Sequence, residues 1–186
     1  MTGTDSRYQR QVMLPEIGEE GQSRLSRAKV LIVGVGGLGS PIALYLAGAG
    51  VGTIGVVDSD VVSVSNLQRQ VLYSESQVGQ SKAICARERL MALNSDITVY
   101  AYDEKLTATN ARELISQYDI VVDGTDNFEV RYIISDTCAG LGRTFVYGAI
   151  CGFEGQVAVL CKGNATYRTL FPDESEVLSM PHPGKQ

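Results

Sequence analysis

The stretch Lys29-Val30-Leu31-Ile32-Val33-Gly34-Val35-Gly36-Gly37-Leu38-Gly39 constrains the fold of this chain more than any other. Residues 29–33 form a short apolar, β-branched run, and Gly34-x-Gly36-Gly37-x-Gly39 follows at once and opens an apolar helix of small residues. A strand joined to a helix by such a turn leaves backbone N–H groups and the positive end of the helix dipole facing an anion. One glycine allows the tight turn, one lets the backbone approach a phosphate, and one lets the helix pack closely on the strand. A second strand at 53–57 runs into Asp58, nineteen residues after Gly39, where a carboxylate accepts both hydroxyls of a ribose. The bland alternative is a glycine turn that binds nothing. It leaves the register of strand, turn, helix and acid unexplained.

A glycine turn indicates a nucleotide without indicating a reaction, and taken alone it favours NAD. The residues after Asp58 shift that balance. Ser65-Asn66-Leu67-Gln68-Arg69-Gln70 brings a guanidinium and three amides, and Val78-Gly79-Gln80-Ser81-Lys82 brings an ammonium about a dozen residues on. The turn already serves a pyrophosphate, whereas ATP adds a phosphate to be neutralised, and Arg supplies forked donors for it. Singly, Arg69 and Lys82 read as members of a solvated face. Together, one after the ribose acid and one opening a helix, they read as phosphate ligands.

A third strand, 120–122, runs into Asp123-Gly124-Thr125-Asp126-Asn127 before a helix at 128–139. At the carboxyl edge of a parallel sheet these carboxylates come near the phosphates, and a carboxylate among phosphates needs a divalent cation between them. Asp126 is the Mg²⁺ candidate. The competing role for Asp126 or Asn127 is a helix N-cap.

Strands expected at 29–33, 53–57, 97–102, 120–122 and 144–147 alternate with helices at 37–49, 80–93, 108–118 and 128–139. That order makes an α/β, Rossmann-like, mostly parallel sheet flanked by helices. A strand at 156–160 follows by a glycine-bearing link, 148–155, too short for a helical crossover, so it is expected antiparallel. Residues before the first strand are expected to form one or two short helices, broken near Pro15 and Gly18–Gly21. The chain then reads as one domain over 1–186, with an N-terminal helical arm over 1–28 and a flexible loop starting over 173–186.

At 186 residues, 44% hydrophobic and 20% charged, the chain has the composition of a globular domain with a real core. A net charge of −5 argues against general nucleic-acid binding. The apolar stretches are strand-sized and no signal core opens the chain, so no membrane partner and a cytoplasmic location are expected. Four cysteines, Cys85, Cys138, Cys151 and Cys161, stand at no disulfide or metal spacing and read as packing thiols. The one histidine, His182, reads as a solvated loop residue.

Arg7-Tyr8-Gln9-Arg10-Gln11, the glycine turn, Ser65 to Gln70, Val78 to Lys82 and Asp123 to Asn127 together resemble the MoeB/ThiF/HesA family, relatives of the ubiquitin-activating enzymes. The resemblance covers nearly the whole chain and implies ATP-dependent adenylation of the C-terminal glycine carboxylate of a small ubiquitin-like sulfur-carrier protein. It places Gly37, Asp58, Ser65, Asn66, Arg69, Lys82, Asp126 and Asn127 at nucleotide-binding positions, beside Gly34, Gly36 and Gly39 of the turn. It also places Arg10 in the site of the other subunit, which implies a homodimer. Arg10, Arg69, Lys82 and Asp126 are then the residues expected to carry catalysis. Electrostatics and positioning suffice for this chemistry, because the attacking carboxylate is already ionised near neutral pH.

Two departures from the family stand out. Thr166-Tyr167-Arg168-Thr169 replaces a Cys-Tyr-Arg-Cys string that holds zinc in many members, and hydroxyls are poor zinc ligands, so no zinc is expected. No cysteine follows Cys161 to join covalently to a carrier. Relatives usually continue with a further helix and strands beyond the segment that ends at Gln186, so the chain is expected to be truncated. The alternatives are an NAD-dependent oxidoreductase and a degenerate, non-catalytic nucleotide-binding member. The first lacks a histidine or tyrosine–lysine pair at a strand end, Tyr147 and Lys162 being separated by a turn. Thiamine and molybdopterin routes share these motifs with a tRNA-modifying branch; the Arg-Tyr-x-Arg-Gln opening favours a protein carrier.

Overall fold

The computed structural model describes residues 7–161, 163 and 165–172; Lys162, His182 and the segment 173–186 lie outside these. Six strands, β1 (Lys29–Val33), β2 (Thr53–Val57), β3 (Thr98–Tyr102), β4 (Ile120–Asp123), β5 (Thr144–Cys151) and β6 (Glu154–Leu160), form one sheet in the order β3-β2-β1-β4-β5-β6. The first five are parallel, and β6 runs antiparallel to β5. The chain builds outward from β1 through β2 and β3, then returns to the other side of β1 as β4. At that reversal Val33 pairs with Asp123, and the carboxyl ends of β1 and β4 open a crevice where open α/β sheets bind ligands.

Both faces of the central parallel strands are covered, as parallel sheets require. Val30 and Ile32 pack on one face with Ala43 and Ala47 of α3 (Gly39–Ala49) and Ala83, Ala86 and Leu90 of α4 (Lys82–Leu93). Leu31 and Val33 point to the other face, toward Ile115 of α5 (Ala111–Ser116) and Ile134 and Cys138 of α6 (Phe128–Leu141). The short α7 (Tyr167–Leu170) closes that side with the fully buried Tyr167.

The N-terminal arm is two helices, α1 (Gln9–Val12) and α2 (Gly18–Arg27). The expected break at Gly18–Gly21 is corrected: Gly18, at φ +55°, opens α2, and Gly21 lies inside it. The interruption falls at 13–17, around Pro15, which has no N–H to give and disfavours helical geometry in the residue before it. Three helices start later than expected. Residues 36–38 belong to the glycine turn, Ser81 is the N-cap that accepts from the Ile84 N–H, and Asn110 Oδ1 holds the Thr107 N–H at 2.8 Å in a turn before α5.

The stretch 148–155, expected as a connector, is mostly strand. Gly148 pairs with Val157 and Cys151 with Glu154, so β5 and β6 form a hairpin turned at Gly152, φ +60°, and Phe153. β6 is an edge strand whose Val157 and Val159 are exposed, as are Ile150 and Phe153. Cys151 is exposed as well, against the expectation of a packing role, because β5 runs past the helices that cover its first half.

Candidate functional site

The first turn of the crevice shows how the glycines divide. Gly34 has φ +82°, a left-handed conformation that a side chain would strain, and it donates to the Val57 carbonyl at 2.8 Å. A Cβ on Gly39 would overlap the Gly34 carbonyl oxygen, so Gly39 lets α3 seat on the turn. Gly36 and Gly37 have no such reason within the fold: a Cβ on either would meet nothing closer than 3.5 Å. Their N–H groups, with that of Leu38, donate to no acceptor among the described residues. Donors left open at a helix N-terminus form an anion site.

Asp58 follows β2 and is half-buried. Its Oδ2 accepts from the Val35 N–H at 2.9 Å and its Oδ1 from the Asp60 N–H at 2.9 Å. Burial pushes its carboxyl above the usual Asp range, against the pull of those two N–H groups and of the Lys82 charge. Lys82 opens α4, as expected, but its ammonium is buried and held by Asp60 Oδ2 at 2.9 Å. The motif that carries Lys82 gives no sign of Asp60 as its partner. The Val35 carbonyl accepts from the Tyr73 hydroxyl at 2.8 Å and the Ser40 hydroxyl at 3.1 Å, which fixes the turn from behind.

Ser65 and Asn66 lie on a single 3₁₀ turn, Val64–Asn66. From the next residues Arg69 reaches back over the glycines, its side chain 3.5 Å from the position of a Gly37 Cβ, while Nη1 donates to the Ser65 carbonyl at 3.3 Å. Gln70 lies beside it, buried, with Nε2 3.5 Å from the position of a Gly36 Cβ.

The β4 end closes the crevice. A Cβ on Gly34 would lie 3.0 Å from the Gly124 backbone and 3.0 Å from Thr125, so the 123–127 turn rests on the glycine turn. Asp123 is not available to phosphates. Its Oδ1 accepts from the Thr125 N–H and hydroxyl, and its Oδ2 holds Arg131 Nε at 2.9 Å in a buried pair. Asn127 is the N-cap of α6, accepting from the Val130 N–H at 3.2 Å. Asp126 is exposed and its carboxylate has no hydrogen bond or ion pair among the described residues. Of the two carboxylates at this edge, only Asp126 has its oxygens open to a hard cation.

Arg10 is placed elsewhere. Tyr8 packs on Gly50, past the end of α3, and its hydroxyl accepts from Asn94 Nδ2 at 2.7 Å, past the end of α4. Gln11 donates to the Ala49 carbonyl at 3.1 Å. These contacts pin α1 to the amino edge of the sheet. The 11 residues of α3, rising ~1.5 Å each, separate it from the glycine turn by roughly 16 Å. In the string read as lacking zinc ligands, Thr169 Oγ1 accepts from the Thr166 N–H at 3.2 Å at the start of α7, and the two hydroxyl oxygens lie 3.2 Å apart. No group of three or more His, Cys, Asp or Glu side chains suited to a metal occurs among the described residues.

A mostly parallel sheet with a donor-lined glycine turn at its switch point, and the carboxylate of Asp58 beside that turn, has the form of a Rossmann-type nucleotide-binding fold. Residues 8–184 match the ThiF family model, and the chain belongs to the ThiF family. It is 51% identical over 172 residues to a sulfur carrier protein adenylyltransferase from Thermus thermophilus, covering 89% of this chain and 64% of that protein. It is 48% identical over 164 residues to a probable molybdopterin-synthase adenylyltransferase from Porphyra purpurea, covering 88% of this chain and 43% of that one. Among solved structures, E. coli MccB with ATP superposes with a TM-score of 0.72 at 27% identity, over 79% of this chain and 44% of MccB. The chain spans less than two thirds of the length of either curated relative.

Proposed function

We propose that this chain is the nucleotide-binding part of an adenylyltransferase that activates the C-terminal glycine carboxylate of a small ubiquitin-like sulfur-carrier protein. The observation that carries the reading is the convergence, at one crevice, of the open N–H groups of 36–38, the Arg69 side chain and the ribose acid Asp58. A carrier carboxylate oxygen attacks the α-phosphorus of ATP, the bond to the β-phosphate oxygen breaks, and pyrophosphate leaves. Arg69 and the backbone donors hold the phosphates. Lys82, kept beside Asp58 by Asp60, adds charge, and Asn127 sets the start of α6 so that the turn presents Asp126. Asp126 would hold Mg²⁺, which when bound neutralises phosphate charge.

The exposed apolar surface of the β5–β6 hairpin, Ile150, Phe153, Val157 and Val159, supports a protein partner rather than a free small carboxylate. The exposed Arg10, with exposed Met13 and Leu14 three and four residues on, supports a homodimer in which Arg10 completes the neighbouring site. The carrier is of thiamine or molybdopterin type. The reduced thiols of Cys85, Cys138 and Cys151 fit a cytoplasmic setting, and the paired hydroxyls of Thr166 and Thr169 support a protein without structural zinc, for which metal analysis should find well under one zinc per chain.

ATP–pyrophosphate exchange by the full-length protein, with a panel of purified carrier proteins, tests this reading. Carrier-dependent exchange is expected. Its absence with every carrier, together with tighter binding of NAD than of ATP with Mg²⁺, would overturn it in favour of an oxidoreductase.

A further inference from the structure

Gln70 is 4% exposed, and its Oε1 is buried with no hydrogen-bond partner among the described residues. The other end of the same amide, Nε2, lies against Gly36. Neither polar atom bonds to another described residue. A buried amide left in this state costs stability, and no hydrogen bond among the described residues offsets the cost. One end of that amide borders Gly36, beside the open N–H groups of 36–38 and the Arg69 side chain, so the groups nearest the glycine turn are donors. A cluster of donors without an acceptor is complementary to a phosphate, whose oxygens only accept.

We propose that Gln70 is a phosphate-binding residue of this site, its Nε2 donating to a nonbridging oxygen of the nucleotide seated on Gly36 and Gly37. The assignment rests on the adenylyltransferase reading for the identity of the nucleotide, and on the orphaned amide for the role of Gln70. It also explains why a polar residue stays in a buried position where methionine has nearly the same shape.

Two near-isosteres separate a ligand role from a structural one. Gln70→Met removes the orphaned oxygen and the donor together, so the ligand-free protein should melt at the wild-type temperature or above it. Its Kd for ATP with Mg²⁺ should rise roughly tenfold, the worth of one hydrogen bond to a charged group, while adenosine, which has no phosphate, binds unchanged. Gln70→Glu places an anion among the phosphates and should weaken ATP by on the order of a hundredfold or more.

Both Kd values and melting temperatures should be measured in the full-length protein by titration calorimetry and thermal unfolding. A wild-type Kd for ATP in Gln70→Met overturns the Gln70 assignment and leaves the adenylyltransferase reading standing. A lower melting temperature for ligand-free Gln70→Met, or equal weakening of adenosine and ATP, marks a structural residue and overturns it as well. Failure of the wild-type protein itself to bind ATP removes the adenylyltransferase reading and the Gln70 assignment with it.

Discussion

Arg131 donates through Nε to Asp123 Oδ2 at 2.9 Å and through Nη2 to the Thr125 carbonyl at 2.6 Å, so one guanidinium ties together the turn that presents Asp126. The Phe128 and Tyr147 rings lie 5.2 and 5.4 Å from it. Burial pushes the Asp123 carboxyl up, and only Arg131 and Thr125 pull against it. Arg131→Met should therefore cost ~3–5 kcal/mol in urea unfolding, because it strands a buried carboxylate. The double variant Asp123→Asn/Arg131→Met should recover much of that loss, since it removes the charge as well. Wild-type stability in Arg131→Met would show that the pair does not hold the turn.

The glycines of the first turn separate folding from binding. Gly39→Ala drives a Cβ into the Gly34 carbonyl oxygen and should destabilise by about 1–3 kcal/mol or more, as other forced overpacking does. Gly37→Ala meets nothing within the fold closer than 3.5 Å and has no positive φ to strain it, so its melting temperature should stay near wild type. Its affinity for ATP should fall at least ~10-fold, because the added methyl occupies the path of the phosphates. If Gly37→Ala binds ATP normally, the phosphates do not approach the turn there.

How far the sequence reveals this site depends on how local each cause is. The turn, the placement of Asp58 after β2 and the order of strands and helices follow from hydrophobic runs and glycine spacing, which act between near neighbours, and the sheet bears out that order. The Arg131–Asp123 pair is different: it joins two residues eight apart across a strand end and a helix, and the spacing alone reads equally well as a surface arginine. One signal points to it. Arg131, Ser135 and Cys138 share one buried stripe of α6, and an arginine on such a stripe needs a buried acid. Asp60 as the partner of Lys82 is hidden for the same reason, since the contact closes a loop of twenty-two residues. The reach of β5 to Cys151 depends on pairing with β6, which no local pattern in 148–155 announces.

Asp58 should make ribose binding sensitive to acid. Because burial raises its carboxyl above the unfolded value, the ligand-free native state holds a proton there that the unfolded chain has already lost. Folding stability from this group accordingly falls as pH rises through that window. Ribose hydroxyls favour the ionised form, so binding should release the proton, and affinity should decline as pH drops through the raised range. Adenosine is the clean probe, since it has no phosphate to titrate alongside. Calorimetry should find weaker adenosine binding toward acid pH in the wild type and a flat, weak profile in Asp58→Asn. Parallel profiles for the two would remove Asp58 from ribose recognition.

Arg10 carries the last expectation, and its position in the fold is the reason. Tyr8, Gln11 and Arg7 anchor α1 to the ends of α3 and α4, with Arg7 Nη1 donating to the Leu93 carbonyl at 3.0 Å, so Arg10 sits at the sheet edge away from its own glycine turn. Its guanidinium is exposed and makes no bond to another described residue. An arginine that is to reach phosphates from there has to reach those of a neighbouring subunit. Arg10→Ala should thus leave folding and nucleotide binding nearly intact while lowering carrier-dependent pyrophosphate exchange by at least ~10²-fold, the scale of losing a group that acts on transition-state charge. Asp126→Ala, an exposed position, should lose exchange similarly without loss of fold. Mixed and allowed to exchange subunits, the two inactive full-length variants should regain activity, because each mixed dimer contains one site with both groups intact. Mixtures that exchange subunits yet stay inactive, beside wild-type mixtures that stay active, would show that Arg10 does not act across the dimer.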